Sequence, residues 1–90
     1  MGAERLRAAG ISGALFAAAA AFHAGERNAE VLIAIAQEKL NDVDRVQYLE
    51  LVDCRTLGAA TSPLQHSAAL CVAAYVGSTR LIDNVILSLP

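Results

Sequence analysis

Polar side chains that could do chemistry cluster near the C-terminus, in the stretch GSTRLIDN at positions 77–84. An arginine pairs with carboxylates or phosphates, an aspartate accepts hydrogen bonds, and an asparagine both donates and accepts them. On strand alternation, Arg80 and Asn84 share one face and Asp83 lies on the other. We expect Asp83 and Asn84 to tie down loop or helix ends, and Arg80 to pair with a carboxylate or face a partner surface. A ligand contact is the alternative for all three.

Two histidines and two cysteines are the other candidates. His23 falls near the end of a predicted helix, where an imidazolium complements the helix dipole, so we expect a capping role. His66 falls in a predicted loop with no nucleophile pattern around it, and we expect no catalytic role. Cys54 and Cys71 are expected to be reduced core residues. HExxH, CxxC, HxxH, GxGxxG and P-loop spacings are all absent from the sequence. We therefore predict no catalytic, metal-binding or cofactor-binding residue in this chain.

Composition narrows the class of protein. A length of ninety residues predicts one domain. Hydrophobic residues make up 56% of the chain and charged residues 18%, a composition that indicates a folded core. The net charge is -2, and acidic and basic residues are scattered along the chain, which argues against nucleic-acid binding. The most apolar window, residues 11–21, has about half the roughly 20 residues that a membrane span needs. Arg5 and Arg7 before it imitate a signal peptide, but the helical spacing of its large apolar residues favours a helix docked on a core.

Hydrophobic periodicity predicts two helices in the first half of the chain. The first covers residues 3–24 and ends near Gly25. The second begins at Asn28 as N-cap, runs to about Leu40, and is stopped by Asn41-Asp42. Because the connection between them is short, the two helices should be antiparallel neighbours.

The second half has the pattern of strands. Three strands are predicted, at 46–53, 68–76 and 79–89. Gly77 and Ser78 suit a tight hairpin turn with positive φ at Gly77, and residues 57–67 have the composition of a loop. Glu50 beside Tyr48 indicates a solvated or interface-facing position. The sequence thus predicts an α+β fold, with two antiparallel helices packed on a three-stranded antiparallel sheet, in the order helix-helix-strand-strand-strand.

Three segments resemble the C-terminal domain of the pantothenate synthetase (pantoate-β-alanine ligase) family. VQYLELVD at 46–53 is followed by a loop and then by ALCVAAYVGSTRLIDNVIL at 69–87, of which GSTRLIDN is the most specific part. AERLRAAGISGAL at 3–15 is similar to the first helix of that domain. The resemblance covers essentially the whole chain in the right order.

The resemblance implies a cytoplasmic enzyme of pantothenate and coenzyme A biosynthesis. Such an enzyme activates pantoate with ATP and Mg as pantoyl adenylate and transfers it to β-alanine, releasing AMP. The family's chemistry sits mainly in a larger N-terminal domain with an HxGH motif, and a Ser-Ser-Arg-Asn loop contacts the nucleotide. Neither is in this sequence, and His23 and His66 are not that motif.

The resemblance therefore predicts that residues 1–90 form a lid domain with an artificial start at Met1-Gly2. We expect this lid to be inactive alone and to need the N-terminal catalytic domain as its partner. A free-standing interaction module is the alternative, forming homo-oligomers through an exposed apolar sheet face. An unrelated small ligand-binding domain is a third possibility.

Overall fold

The chain forms two helices followed by three strands, which confirms the predicted α+β order. The structure is a computed structural model that describes residues 2–40 and 43–89. The elements are α1 (Gly2–His23), α2 (Ala29–Glu38), β1 (Arg45–Asp53), β2 (Ala68–Val76) and β3 (Thr79–Leu87). Their bounds lie within two residues of those predicted, and the predicted helix stop at Asn41-Asp42 falls outside the described residues.

Local signals in the sequence account for the helix boundaries. Gly25 adopts a φ of 114°, a left-handed conformation that suits glycine, and its N–H donates to Phe22 O at 3.0 Å. Asn28 then starts α2, because its Oδ1 accepts from the N–H groups of Glu30 at 2.9 Å and Val31 at 3.2 Å. The two helices are consequently joined by a short, fully bonded turn.

The sheet has the order β1-β2-β3 with both pairs antiparallel. The β2–β3 hairpin closes tightly at Gly77, whose φ of 62° confirms the predicted turn. The register of β1 against β2 shifts between Val46 and Tyr48, which leaves Gln47 as the extra residue of a bulge. Both β1 and β3 are edge strands.

The core lies between the two helices and one face of the sheet. Alternate residues of β2 point into it, among them Leu70 and Val72, and Phe22 of α1 and Leu32 of α2 meet them. The largest fully buried side chains are Phe22, Leu32, Leu70, Leu87, Val72 and Val76. No helix in the described ranges is long and apolar enough to cross a membrane.

The opposite face of the sheet has no covering layer among the described residues. Ile82 and Ile86 of β3 lie there with 58% and 52% of their surface exposed. Cys71 of β2 is half-buried on the same face, opposite Asn84, and burial raises the pKa of its thiol. Cys54 is exposed in the loop after β1. Both thiols are free. The expectation that they belong to the core is wrong, because Cys54 lies in an exposed loop and Cys71 lies on the sheet face that the helices do not cover.

Candidate functional site

The polar residues of GSTRLIDN do not converge on one site. Arg80 Nε donates to Gln47 Oε1 at 2.6 Å, so this exposed arginine pairs with an amide rather than a carboxylate. Asp83 Oδ1 accepts from the N–H of the adjacent Asn84 at 2.8 Å. In the described part of the chain, neither Asp83 nor Asn84 bonds a loop or a helix end. That expectation is therefore wrong, because strand alternation sends the two side chains to opposite faces and away from the loops.

The C-terminal end of α1 is capped by an arginine that sequence reasoning did not single out. Arg27 Nη1 donates to Phe22 O at 2.6 Å, and its guanidinium lies 4.1 Å from the centroid of the Phe22 ring. His23 does occupy the last turn, as predicted, but its side chain is exposed and its ring packs edge-on against Phe22. Arg27 was missed because it lies beyond the turn and folds back onto the helix.

Among the described residues, Asp53 is the charged residue that is buried, with 5% of its surface exposed. It ends β1, and its Oδ1 accepts from the N–H groups of Arg55 at 2.7 Å and Thr56 at 3.0 Å. His66 Nδ1 bonds the other oxygen, Oδ2, at 2.8 Å. The hydrogen bond from His66, followed by that from the Thr56 N–H, lowers the pKa of the Asp53 carboxyl against the opposing effect of burial.

His66 and Asp53 form an Asp–His pair through Nδ1 of the imidazole ring. The other ring nitrogen of His66, Nε2, faces the guanidinium of Arg55. Nε2 lies 3.3 Å from Arg55 Nη1. With Nδ1 donating to Asp53, a neutral ring presents Nε2 as the acceptor for Arg55. No serine or cysteine bonds Nε2 among the described residues, so the pair has no nucleophile to activate. Its geometry holds the two ends of the loop at residues 54–67 together.

The same loop is anchored to both β1 and α2. Ala60 N donates to Leu51 O at 2.9 Å, and Asp53 N donates to Gly58 O at 2.8 Å. Ser62 Oγ accepts from the N–H of Ala29, the first residue of α2, at 3.1 Å. Leu64, only 7% exposed, inserts into the core. The loop thus runs along the edge of β1 and then crosses to the start of α2.

A cleft of about 640 Å³ lies between the start of α2, β1 and this loop. Its walls are mostly apolar, with Ile33, Leu49 and Leu57 as the large side chains. Glu30 and Glu50 are also among its lining residues. Glu50 pairs with Cys71 in the register of the sheet, so its side chain points to the uncovered face and away from Glu30. Of the residues that the structure describes, no lysine or arginine lines the cleft. Within the described ranges, no three potential metal-ligating side chains lie together.

These features define the class of domain: a small α+β unit with a recessed, mostly apolar cleft and, in its described part, no nucleophile–base pair. Residues 1–86 match the family model described as pantoate-beta-alanine ligase. The chain belongs to the pantoate-beta-alanine ligase family.

Relatives from bacteria and a plant agree with this assignment. The chain is 65% identical over 85 residues to pantothenate synthetase 1 of Bradyrhizobium diazoefficiens, covering 94% of the chain and 30% of that protein. It is 40% identical over 83 residues to the pantoate--beta-alanine ligase of Arabidopsis thaliana, covering 91% of the chain and 26% of that protein. A bifunctional pantoate ligase/cytidylate kinase of Synechococcus sp. (strain JA-3-3Ab) is 48% identical over 69 residues, covering 74% of the chain and 13% of that protein. The chain thus spans less than a third of these relatives' length.

Proposed function

We propose that residues 1–90 act as the C-terminal lid domain of an ATP-dependent pantothenate synthetase. The complete enzyme would condense pantoate with β-alanine through a pantoyl adenylate, with release of AMP, in the cytoplasm. The observation that carries this proposal is the 65% identity to pantothenate synthetase 1 of Bradyrhizobium diazoefficiens over 94% of the chain. The lid alone is not catalytic, and its partner is the N-terminal catalytic domain.

The cleft of this domain does not fit ATP with Mg²⁺. Glu30 would repel a triphosphate, and the described lining residues include no basic side chain to neutralise it. The described residues also lack a cluster of oxygen ligands for the metal ion. We therefore assign the nucleotide to the part of the enzyme that this chain does not span, and derive no catalytic step from the cleft.

A complementation assay tests the lid role. The N-terminal portion of the Bradyrhizobium relative, which this chain does not match, is expressed separately and mixed with the chain, pantoate, β-alanine and ATP. We expect pantothenate from the mixture and none from either piece alone. A Leu32→Asp chain, which places a charge in the core, serves as the unfolded control. Pantothenate made by the chain alone, above a no-protein blank, would refute the proposal. Failure of two folded pieces to restore synthesis would also count against it.

A free-standing self-associating module is the second candidate. The exposure of Ile82 and Ile86 on the uncovered sheet face favours it, because such surfaces promote association. This candidate predicts a concentration-dependent dimer in sedimentation experiments, weakened by Ile82→Lys. A strictly monomeric chain at high concentration would eliminate it.

A further inference from the structure

Charged side chains lie at two levels on the sheet face opposite the helices. Arg45, Tyr75 and Arg80 are neighbours in the strand register, one from each strand, and form a row near the hairpin turn. The Arg45 guanidinium lies 4.5 Å from the centroid of the Tyr75 ring, so both side chains are on this face. Glu50 lies beside Cys71, four residues along β2 from Tyr75 and on the same face. The face thus has a positive row near the turn and a carboxylate in its middle.

Apolar side chains separate these two charged rows. Tyr48, Ala73 and Ile82 form the row between them, again with one residue from each strand. Along β2, the row of Tyr75 lies two residues to one side of Ala73, and the row of Cys71 lies two residues to the other side. The two charged rows are therefore equally far from the middle row, at about 7 Å on each side.

The charges on this face are not neutralised within one copy of the chain. Arg45 stacks on Tyr75, and no ion pair joins Arg45 or Glu50 to another residue that the structure describes. Arg80 Nε donates to Gln47 Oε1, so the Arg80 side chain reaches across β2 toward β1. Both guanidiniums are thus placed to meet a carboxylate that approaches the β1 side of the face from outside.

A second copy of the chain supplies such a carboxylate under twofold symmetry. Two sheets can pack face to face about an axis that runs across the strands, over the middle row. Each strand then lies over its own copy, and the two charged rows exchange places. Arg45 lies opposite Glu50 of the second copy, Glu50 lies opposite Arg45 of the second copy, and the two Ile82 side chains meet at the axis. One rotation therefore forms two ion pairs around an apolar centre.

The other face-to-face orientation is unfavourable. A twofold axis parallel to the strands would lay β1 over β3 of the second copy and keep each row over itself. Arg45 of each copy would then lie opposite Arg80 of the other, which sets like charges against each other twice. The distribution of charge therefore selects the axis across the strands.

We propose that the uncovered sheet face binds a second copy of this chain about the axis across the strands, with Arg45 of each copy paired to Glu50 of the other. This dimer goes beyond the lid role and does not depend on it, and it gives the self-association of the second candidate a defined geometry. The three strands of 9 residues span roughly 15 by 30 Å, at about 4.8 Å between strands and about 3.3 Å per residue. A face of this size is small for a dimer interface, so we expect weak association in the micromolar range.

Exchange of the two charges, measured by sedimentation, tests this geometry. Arg45→Glu and Glu50→Arg should each weaken the dimer by about tenfold or more, because each sets two pairs of like charges against one another. An equimolar mixture of the two variants should dimerise again, since both contacts in the mixed dimer join a glutamate to an arginine. A single chain that carries both substitutions should dimerise to within about threefold of the unaltered chain.

Glu38→Arg is the matched control for Glu50→Arg, because Glu38 is exposed at the end of α2, in the helix layer. It should leave the dimer unchanged. Circular dichroism checks that every variant is folded, so that loss of the dimer in a single variant is not mistaken for unfolding. Recovery of the dimer in the mixture answers the same point, since two unfolded chains would not restore it.

Several results would overturn the inference. A chain that stays monomeric at high concentration would do so, and would eliminate the second candidate with it. A dimer that both charge variants leave unchanged, or a mixture that stays monomeric, would refute this geometry. A tighter dimer of Arg45→Glu would indicate the axis parallel to the strands instead.

Complementation reports on the lid role separately, because sedimentation of the chain alone does not involve the N-terminal portion of the Bradyrhizobium relative. Restored synthesis together with a monomeric chain would leave the lid role standing and the dimer refuted. If the added N-terminal portion dissociates the dimer, the face belongs to the contact between the two portions, and the inference is wrong. A charge-dependent dimer without restored synthesis would support the inference while the lid role fails.

Discussion

Leu64 offers the sharpest test of how the loop at 54–67 is held in place. This leucine lies in an irregular segment, yet it is only 7% exposed and belongs to the core. Its N–H also donates to Arg27 O at 2.7 Å, which joins the loop to the turn before α2. Leu64→Ala removes the buried side chain while keeping this backbone bond.

The expected cost follows from the burial of the side chain. Replacing a buried leucine with alanine lowers the free energy of unfolding by about 2–5 kcal/mol. Because the loop can partly close the cavity that is left, we expect a loss in the lower half of this range, about 2–3 kcal/mol. A domain of this length has a free energy of unfolding of roughly 5–13 kcal/mol. The change therefore removes a substantial share of stability, and we expect the melting temperature to fall by roughly 10–20 °C.

Leu57→Ala is the matched control, because Leu57 lies in the same loop with 79% of its surface exposed. Its substitution should change the free energy of unfolding by no more than about 0.5 kcal/mol. Urea unfolding followed by circular dichroism measures both variants, and amide exchange at Leu64 reports opening of the loop. Equal effects of the two substitutions would show that the loop is not docked on the core, and would refute the reasoning.

Two further predictions concern groups that organise the loop and the helix beside it. The pKa of Asp53 is lowered in the folded chain, so its stabilising contribution is fully present above its unfolded pKa of about 4 and is lost as pH falls below that value. In pH-dependent urea unfolding, Asp53→Asn should be less stable than the unaltered chain at pH 7, and the difference in stability should narrow as pH falls below about 4. A constant difference would contradict the assigned hydrogen bonds to His66 and the backbone. Asn28→Ala should cost about 1 kcal/mol by removing the N-cap of α2, whereas Asn28→Asp, which keeps the acceptor, should cost less in the same assay.

Features governed by neighbouring residues were predictable from the sequence. Asn28 as N-cap and the turn at Gly77 were both identified correctly, since each depends on local backbone preferences. The resemblance of GSTRLIDN also led to the family that the whole chain matches.

Features created by tertiary contacts were not predictable in the same way. The pairing of Asp53 with His66 joins two residues separated by a loop, and no sequence period connects them. Arg27 reaches back onto Phe22 only because Gly25 reverses the chain. The cleft depends on the path of the loop along β1. Cys71 was assigned to the core because an apolar strand does not reveal which of its faces the helices cover.

The connectivity of the sheet has a consequence for the order in which the fold opens. The β2–β3 hairpin joins strands separated only by a tight turn, whereas β1 reaches β2 across the loop at 54–67. Closing the longer segment costs more chain entropy, so β1 should be the last strand to pair during folding and the first to detach in native fluctuations. Detachment of β1 would dismantle the cleft while leaving the hairpin intact. Any partner that binds the cleft would oppose that detachment, so binding and local folding at this edge would be thermodynamically coupled.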